Sequence, residues 1–352
     1  MNYPSQQPQS ICILRLSAIG DVCNSVAAVQ AIQRKWPEVK ITWVIGKVEA
    51  MMLDGLPNVE FVIFDKSAGL KGYFDLKKAL KGRKFDVLLQ MQVALRASLA
   101  SLCIKAKFKV GFDKIRAKEG HWLFVNRRIA KQEKPHVLDG FMAFAQVVGV
   151  TDTTPTWNIP IPPNDDEWAK SQFSPNKNTL VVSPAASKAE RNWSAERYAK
   201  IIDYAAARNW NVILCGGVST LEKELGKNIF ELCDSTPKNL IGETSLKQLL
   251  GIIKYADILI APDTGPAHMA VAMGTPVIGL YAHSNPGRTG PYLSRDYVVS
   301  VYEAHIISQQ QRPFNMVKWG VRAKGEHLMD DITVKAVRDK FETLILDTEM
   351  DD

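Results

Sequence analysis

The 352-residue sequence predicts an α/β protein made of two doubly wound parallel-sheet domains. Short apolar runs of strand length alternate with stretches whose apolar residues recur at helical spacing. The alternation runs through the first half of the chain and starts again in the second. The length also exceeds what one hydrophobic core usually organises. Helices between successive strands make those strands parallel.

Residues 11–16 form the first strand, and the loop 17–21 leads into Val22, Val26, Val29 and Ile32 at helical spacing. Strands follow at 40–45, 59–64, 86–90 and 107–111, with helices near 74–80 and 94–104. Residues 153–163, TTPTWNIPIPP, contain four prolines and suit an extended connection between domains. The second half has strands at 179–183, 211–215, 239–241, 257–261 and 276–281. Between them lie helices from Ser194, Ser219 and Ser245, and a short one after residues 263–266. Ser194 and Ser219 are expected N-caps, and Ser245 with Gln248 fits a capping box. Val334, Val337, Phe341, Leu344 and Ile345 mark an amphipathic helix at the C-terminus. The expected division is a domain over 1–160, a linker over 161–178, a domain over 179–330 and a final helix over 331–352.

Hydrophobic residues make up 46% and charged residues 23% of the chain, the composition of an ordinary globular protein. The longest apolar stretch, 267–282, is interrupted by His268, Gly274 and Pro276, so no membrane span is expected. The N-terminus, MNYPSQQPQS, lacks the basic and apolar regions of an export signal, which predicts a cytoplasmic protein. The cysteines, Cys12, Cys23, Cys103, Cys215 and Cys233, are widely spaced without a CxxC pair and read as reduced, buried thiols rather than metal ligands.

Charge is unevenly placed. Residues 66–134 hold 18 Lys and Arg against five Asp and Glu, a local +13 that leaves the remainder at −6. A basic excess confined to one stretch points to a polyanionic partner: nucleic acid, an anionic membrane surface or a phosphorylated substrate. No nucleic-acid-binding motif accompanies it, so nucleic acid is not expected. A solvated Lys-rich face is the plainer alternative.

Ligands of open parallel sheets bind beyond the carboxyl ends of the strands, and two loops there carry chemistry. In Arg15-Leu16-Ser17-Ala18-Ile19-Gly20-Asp21, Gly20 suits a tight turn and Asp21 opens the helix at the mouth of the expected cleft. Taken by itself, Asp21 reads as an N-cap before it reads as a catalyst. Neither GxGxxG nor GxxxxGK[ST] is present, which argues against dehydrogenase and P-loop readings. In the second loop, Asp263-Thr264-Gly265-Pro266-Ala267-His268, Pro266 suits a helix start whose free amides make an anion site fit for a diphosphate. A plain capped helix with a core His268 stays open as the alternative. Arg288, in the turn-rich stretch 285–292, offers a guanidinium for bidentate phosphate contact.

Together RLSAIGD, PAASKAERNWSAERY and APDTGPAHMAVAMGTPVIGLYAHSNPGRTGPY resemble glycosyltransferase family 9, the ADP-heptose:lipopolysaccharide heptosyltransferases. The resemblance spans about residues 11 to 345, with the motifs in order. Residues 91–98 and 136–140 further resemble the branch that adds the first heptose to the Kdo of the lipid A inner core.

The resemblance implies a GT-B fold, two Rossmann-like domains facing across a cleft, with the last helix packing back on the first domain. It implies inverting, metal-independent transfer, with ADP-heptose as co-substrate and no further cofactor. Asp21 matches the family's general base, and Ser17, Arg96, Arg116, Lys118 and Arg288 are expected on the acceptor side. Ser187, Arg191, Ser219, Thr244, Asp263, Thr264, Gly265, Pro266 and His268 are expected around the donor. Arg191 stands where relatives carry a phosphate-binding Lys, its plainer reading being a salt bridge to Glu190 or Glu196. Ala18, Ser219 and Thr244 depart from relatives that carry Ser, a ribose-binding carboxylate and an adenine-contacting Met.

The acceptor so implied is Kdo-lipid A or truncated lipopolysaccharide, with the basic stretch holding the enzyme at the anionic inner face of the inner membrane. The alternatives are a GT-B enzyme using another donor or a later core acceptor, and a non-catalytic module that binds anionic glycolipid.

Overall fold

Ile11, Cys12, Ile13 and Leu14 are all fully buried, the mark of a strand covered on both faces. They belong to β1 (Ser10–Leu14), followed by α1 (Ile19–Lys35), β2 (Lys40–Ile45), α2 (Lys47–Leu53), β3 (Val59–Ile63) and α3 (Leu70–Ala79). Then come β4 (Phe85–Gln90), α4 (Leu95–Ser101), β5 (Ala106–Gly111), β6 (Arg127–Arg128) and α5 (Val137–Val147). The computed structural model describes residues 7–351 and divides at Pro160 into two units. Residues 1–6, the start of the polar N-terminus read above, lie outside the described residues.

The first sheet is parallel throughout, in the order β3-β2-β1-β4-β5-β6. That is the order of a Rossmann fold, with its switch point between β1 and β4. On one face Leu76 and Leu80 from α3 and Ala97 and Ala100 from α4 pack on Cys12, Leu14, Val44 and Leu88. On the other, α1 packs against α5.

The second unit begins with a helix where a linker is expected. This is α6 (Pro163–Lys170), started by Pro163 and by Asp165 and Asp166 in its first turn, both favourable at a helix N-terminus. Asp166 accepts from the Tyr255 hydroxyl (2.7 Å) and the Lys254 ammonium (3.0 Å), tying α6 into this unit. The Tyr255 hydrogen bond, then that of Lys170, holds the Asp166 carboxyl far below the usual carboxylate range.

The elements that follow are β7 (Thr179–Val182), α7 (Ala195–Ala206), β8 (Asn211–Leu214), α8 (Thr220–Leu232), β9 (Lys238–Asn239) and α9 (Leu246–Tyr255). After them come β10 (Ile258–Pro262), α10 (Gly265–Met273), β11 (Val277–Tyr281), α11 (Pro286–Thr289), β12 (Val299–Ser300), α12 (Tyr302–Gln310) and α13 (Val334–Asp351). The parallel sheet runs β12-β11-β10-β7-β8-β9, the same Rossmann order, with its switch point between β7 and β10.

Val337, Phe341 and Leu344 of α13 are buried in one cluster with Leu180, Ile201, Leu214 and Ile258. Part of its apolar face is therefore used in the second unit's own core. Of the two Asp pairs, Asp165 and Asp166 open α6, and Asp330 and Asp331 close a 3-10 turn ahead of α13. No helix among the described residues is long and apolar enough to cross a membrane. The five thiols are free, and burial pushes those of Cys23 and Cys215 up to about 12, leaving them neutral and unreactive.

Candidate active site

In the first unit the site forms where β1 and β4 diverge. The Leu16 amide donates to Gln92 Oε1 (2.8 Å), joining the loop after β1 to the loop after β4. Ala18 is the N-cap of α1 and Asp21 its third residue, so Asp21 is not the cap that an isolated reading suggests. Gly20 is likewise helical and buried, not a turn residue.

Free of capping, the Asp21 carboxylate pairs with the Arg15 guanidinium. Arg15 in turn donates through Nη1 to the Met91 carbonyl (2.7 Å) and lies over the Phe141 ring, 5.3 Å from its centroid. Its side chain is 11% exposed while that of Asp21 is 37% exposed, so a largely covered cation supports a solvent-reachable anion. This is the arrangement a base acting on an external hydroxyl requires. Sequence reasoning passes over Arg15, because only the return of the chain from β1 into α1 brings it to Asp21.

The other first-unit candidates lie on neighbouring carboxyl-end loops. Ser17 is half-buried beside Ala18, Arg96 is exposed at the second position of α4, and Lys118 is exposed after β5. Arg116 is less free than expected. Its guanidinium pairs with Asp113, donates to Gln132 Oε1 (2.8 Å) and lies over the Phe112 ring. His136 and Asp139 form a capping box that starts α5.

In the second unit four consecutive carboxyl-end loops carry the donor-side candidates. At the switch point, α10 starts at Gly265 with Pro266 second and Thr264 as N-cap. The Thr264 side chain makes no capping bond, and its Oγ1 is buried with no hydrogen-bond partner. A buried hydroxyl left unpaired beside free helix amides is a ready acceptor-seeking donor for an anion. Asp263 accepts from the Ser284 hydroxyl and lies 4.0 Å from His268 Nε2. Burial, and then the Asp263 carboxylate, raise the Tyr281 hydroxyl well above its ordinary range.

The loop after β7 carries Ser187, exposed, and Arg191, half-buried. It is fixed by Asn192, whose Oδ1 accepts from the Ala186 amide (2.6 Å), and by buried Trp193, which donates to the Ile332 carbonyl (2.9 Å). Among the described residues Glu190 pairs with Lys188 and not with Arg191, leaving that guanidinium available.

Ser219 caps α8, and a carboxylate stands beside it. Glu222 accepts from the Ser219 hydroxyl (2.6 Å) and from the Gly217 amide (2.8 Å). A Cβ at position 217 would meet that carboxylate and push it aside. Sequence reasoning considers a carboxylate at position 219 only and does not single out Glu222, three residues on. Thr244 is half-buried immediately before Ser245, whose capping box with Gln248 forms as expected. Arg288 lies in α11, among second-unit residues rather than with the first-unit acceptor candidates. Among the described residues no three His, Cys, Asp or Glu side chains cluster to hold a metal ion.

Two Rossmann-like units, each with polar loops at its switch point, define the GT-B class of glycosyltransferase, and comparison with known proteins agrees. The family described as Glycosyltransferase family 9 (heptosyltransferase) matches residues 73–318. The lipopolysaccharide core heptosyltransferase OpsX of Haemophilus influenzae is 47% identical over 333 residues, 95% of this chain and 96% of that protein. Lipopolysaccharide heptosyltransferase 2 of Escherichia coli is 21% identical over 364 residues, 96% of this chain and 99% of that protein. Among solved structures, a family 9 glycosyltransferase from Veillonella parvula superposes with a TM-score of 0.79 at 21% identity, covering 96% of this chain and 97% of that one. The E. coli heptosyltransferase WaaC with ADP gives 0.75 at 20% identity, covering 95% and 99%. The chain belongs to glycosyltransferase family 9, the heptosyltransferases.

Proposed function

We propose that the protein transfers heptose from ADP-heptose to the Kdo of lipopolysaccharide inner core, with inversion and without a metal. The observation that carries the reading is the solvent-reachable Asp21 carboxylate held by the less exposed Arg15 guanidinium at the first unit's switch point. The 47% identity to a core heptosyltransferase supports the heptose and core assignments. WaaC has been solved with ADP and with ADP-2-deoxy-2-fluoro heptose, which supports an ADP-linked donor here.

In this mechanism the acceptor hydroxyl attacks the anomeric carbon opposite the departing ADP while Asp21 takes its proton. The new glycosidic C–O bond forms as the bond to the diphosphate oxygen breaks, and the configuration inverts. Charge developing on ADP is met by the first amides of α10, the Thr264 hydroxyl, His268 and the Arg191 guanidinium, with Ser187 beside them. Glu222 holds the ribose hydroxyls, the role a carboxylate plays in nucleotide-binding sheets of this order, and Thr244 lies toward the base. Ser17, Arg96, Arg116, Lys118 and Arg288 face the anionic acceptor. The protein works at the inner face of the inner membrane, where the basic first unit meets anionic lipid.

Thermal stabilisation by a panel of nucleotides tests the donor assignment, since a ligand that binds only the folded state raises Tm by mass action. ADP and ADP-heptose are expected to raise Tm while UDP and GDP at equal concentration do not. A larger shift with UDP than with ADP would overturn it.

A further inference from the structure

We propose that the outer face of α3, α4 and the 3-10 turn His121–Leu123 inserts into an anionic lipid bilayer. On α3, Leu70 and Phe74 are four residues apart and 78% and 71% exposed. On α4, Leu95 and Leu99, with Leu102 just beyond, make an exposed stripe at helical spacing, and Leu102 is 63% exposed. Trp122 and Leu123 on the turn are 56% and 67% exposed.

These elements are neighbours. The Tyr73 hydroxyl donates to the Arg96 carbonyl (3.4 Å) and the Cys103 thiol to the Tyr73 carbonyl (3.5 Å), which joins α3 to α4. Gln90 Nε2 lies 3.1 Å from both Ser98 Oγ of α4 and His121 Nδ1 of the turn. The Leu95 amide donates to Glu119 Oε2 (2.7 Å), a second tie between α4 and the segment before the turn.

The inner sides of the same helices already fill the core through Leu76, Leu80, Ala97 and Ala100. The outer residues are therefore apolar surface that folding does not use, and contiguous exposed apolar surface marks an interaction site.

Charge chooses the occupant. Lys71, Lys77 and Lys78 are exposed along α3 and Lys81 just beyond it, and Arg127 and Arg128 are exposed on β6, within the stretch of local +13. Apolar side chains set among exposed cations suit insertion between anionic headgroups, where each cation adds attraction. A second copy of this chain would bring the same positive charge against itself, so self-association through this face is disfavoured.

The inference rests on the proposed function only in taking the acceptor to be lipid-borne. It goes further in naming the surface and in requiring apolar insertion besides electrostatic attraction.

Flotation of the full chain with vesicles tests it, using phosphatidylcholine alone and phosphatidylcholine with about one third phosphatidylglycerol. Wild type is expected to float with the anionic vesicles and not with the neutral ones. The double variant Phe74→Ser, Trp122→Ser should lower partitioning by about tenfold or more, since burial of each large apolar side chain is lost. Lys77→Glu with Lys78→Glu should lower it too, and flatten its salt dependence. Both variants should keep wild-type transfer to a water-soluble, delipidated acceptor, which shows them folded. If wild type shows no transfer but the vesicle results hold, the proposed function fails and the surface stands. Equal partitioning of wild type and the Phe74, Trp122 variant would overturn the inference. So would absence of anionic vesicle binding, or a dimer in sedimentation that these substitutions dissolve.

Discussion

The Arg15 guanidinium is held from three sides, by the Asp21 carboxylate, the Met91 carbonyl and the Phe141 ring, so the orientation of Asp21 is inherited from the sheet. β1 ends one residue before Arg15 and β4 one residue before Met91, and the two strands are hydrogen-bonded neighbours. A helix side chain at the switch point is thereby referenced to both central strands.

Arg15 is accordingly a positioning residue for the proposed base. Arg15→Met should lower kcat by about ten- to a hundredfold, the loss expected from a small misplacement of a catalytic group, and leave KM for ADP-heptose nearly unchanged. Arg15→Lys should recover part of the rate. Steady-state kinetics check both, and an effect on donor KM alone would contradict the role.

Thr264→Ala should weaken ADP binding by about tenfold or more, about 1.5 kcal/mol being the low end for a hydrogen bond to a charged group. Among the described residues the hydroxyl has no hydrogen-bond partner, so Tm without ligand should be unchanged or slightly higher. Calorimetric titration with ADP, alongside a melt of the unliganded protein, measures the two effects separately.

Glu222→Gln should erase discrimination between ADP and 2′-deoxy-ADP if its carboxylate grips the ribose. Loss of the Gly217 and Ser219 contacts would weaken both nucleotides alike, so the ratio of their Kd values isolates the sugar contact. An unchanged ratio would exclude the assignment.

His121 makes the first unit sensitive to acid. Burial, then the Arg128 charge, push its imidazole down to about 4 from the ordinary 6.5. Between those values the unfolded chain binds a proton that the folded chain does not, so stability falls as pH drops through that window. Tm measured from about pH 7 to pH 5 should decline, and His121→Gln should flatten the decline while lowering Tm at neutral pH.

The central strands of both sheets are legible in the sequence because burial on both faces leaves uninterrupted apolar runs such as residues 11–14 and 258–261. The edge strands β6 and β12 are two residues long, too short for any pattern to register. α6 hides behind Pro160, Pro162 and Pro163, which read as an extended connection although Pro163 begins a helix. α5 is rich in apolar residues, with Leu138, Phe141, Met142 and Phe144 all buried, and it starts from a His136 capping box rather than from a Ser, Thr or Asn cap.

The site divides in the same way. Asp21 and the Thr264–His268 turn stand out because loop chemistry follows a strand and opens a helix. Arg15 and Glu222 do not, since the contacts on which their proposed roles rest exist only once the chain folds back.

The most direct test of the central proposal is acceptor-dependent ADP release from ADP-heptose by wild type and Asp21→Asn, with ADP affinity measured on the same samples. The account predicts a loss of about a hundredfold or more in kcat, the contribution of a positioned base, at unchanged ADP Kd and unchanged Tm. Turnover by Asp21→Asn at the wild-type rate would contradict it.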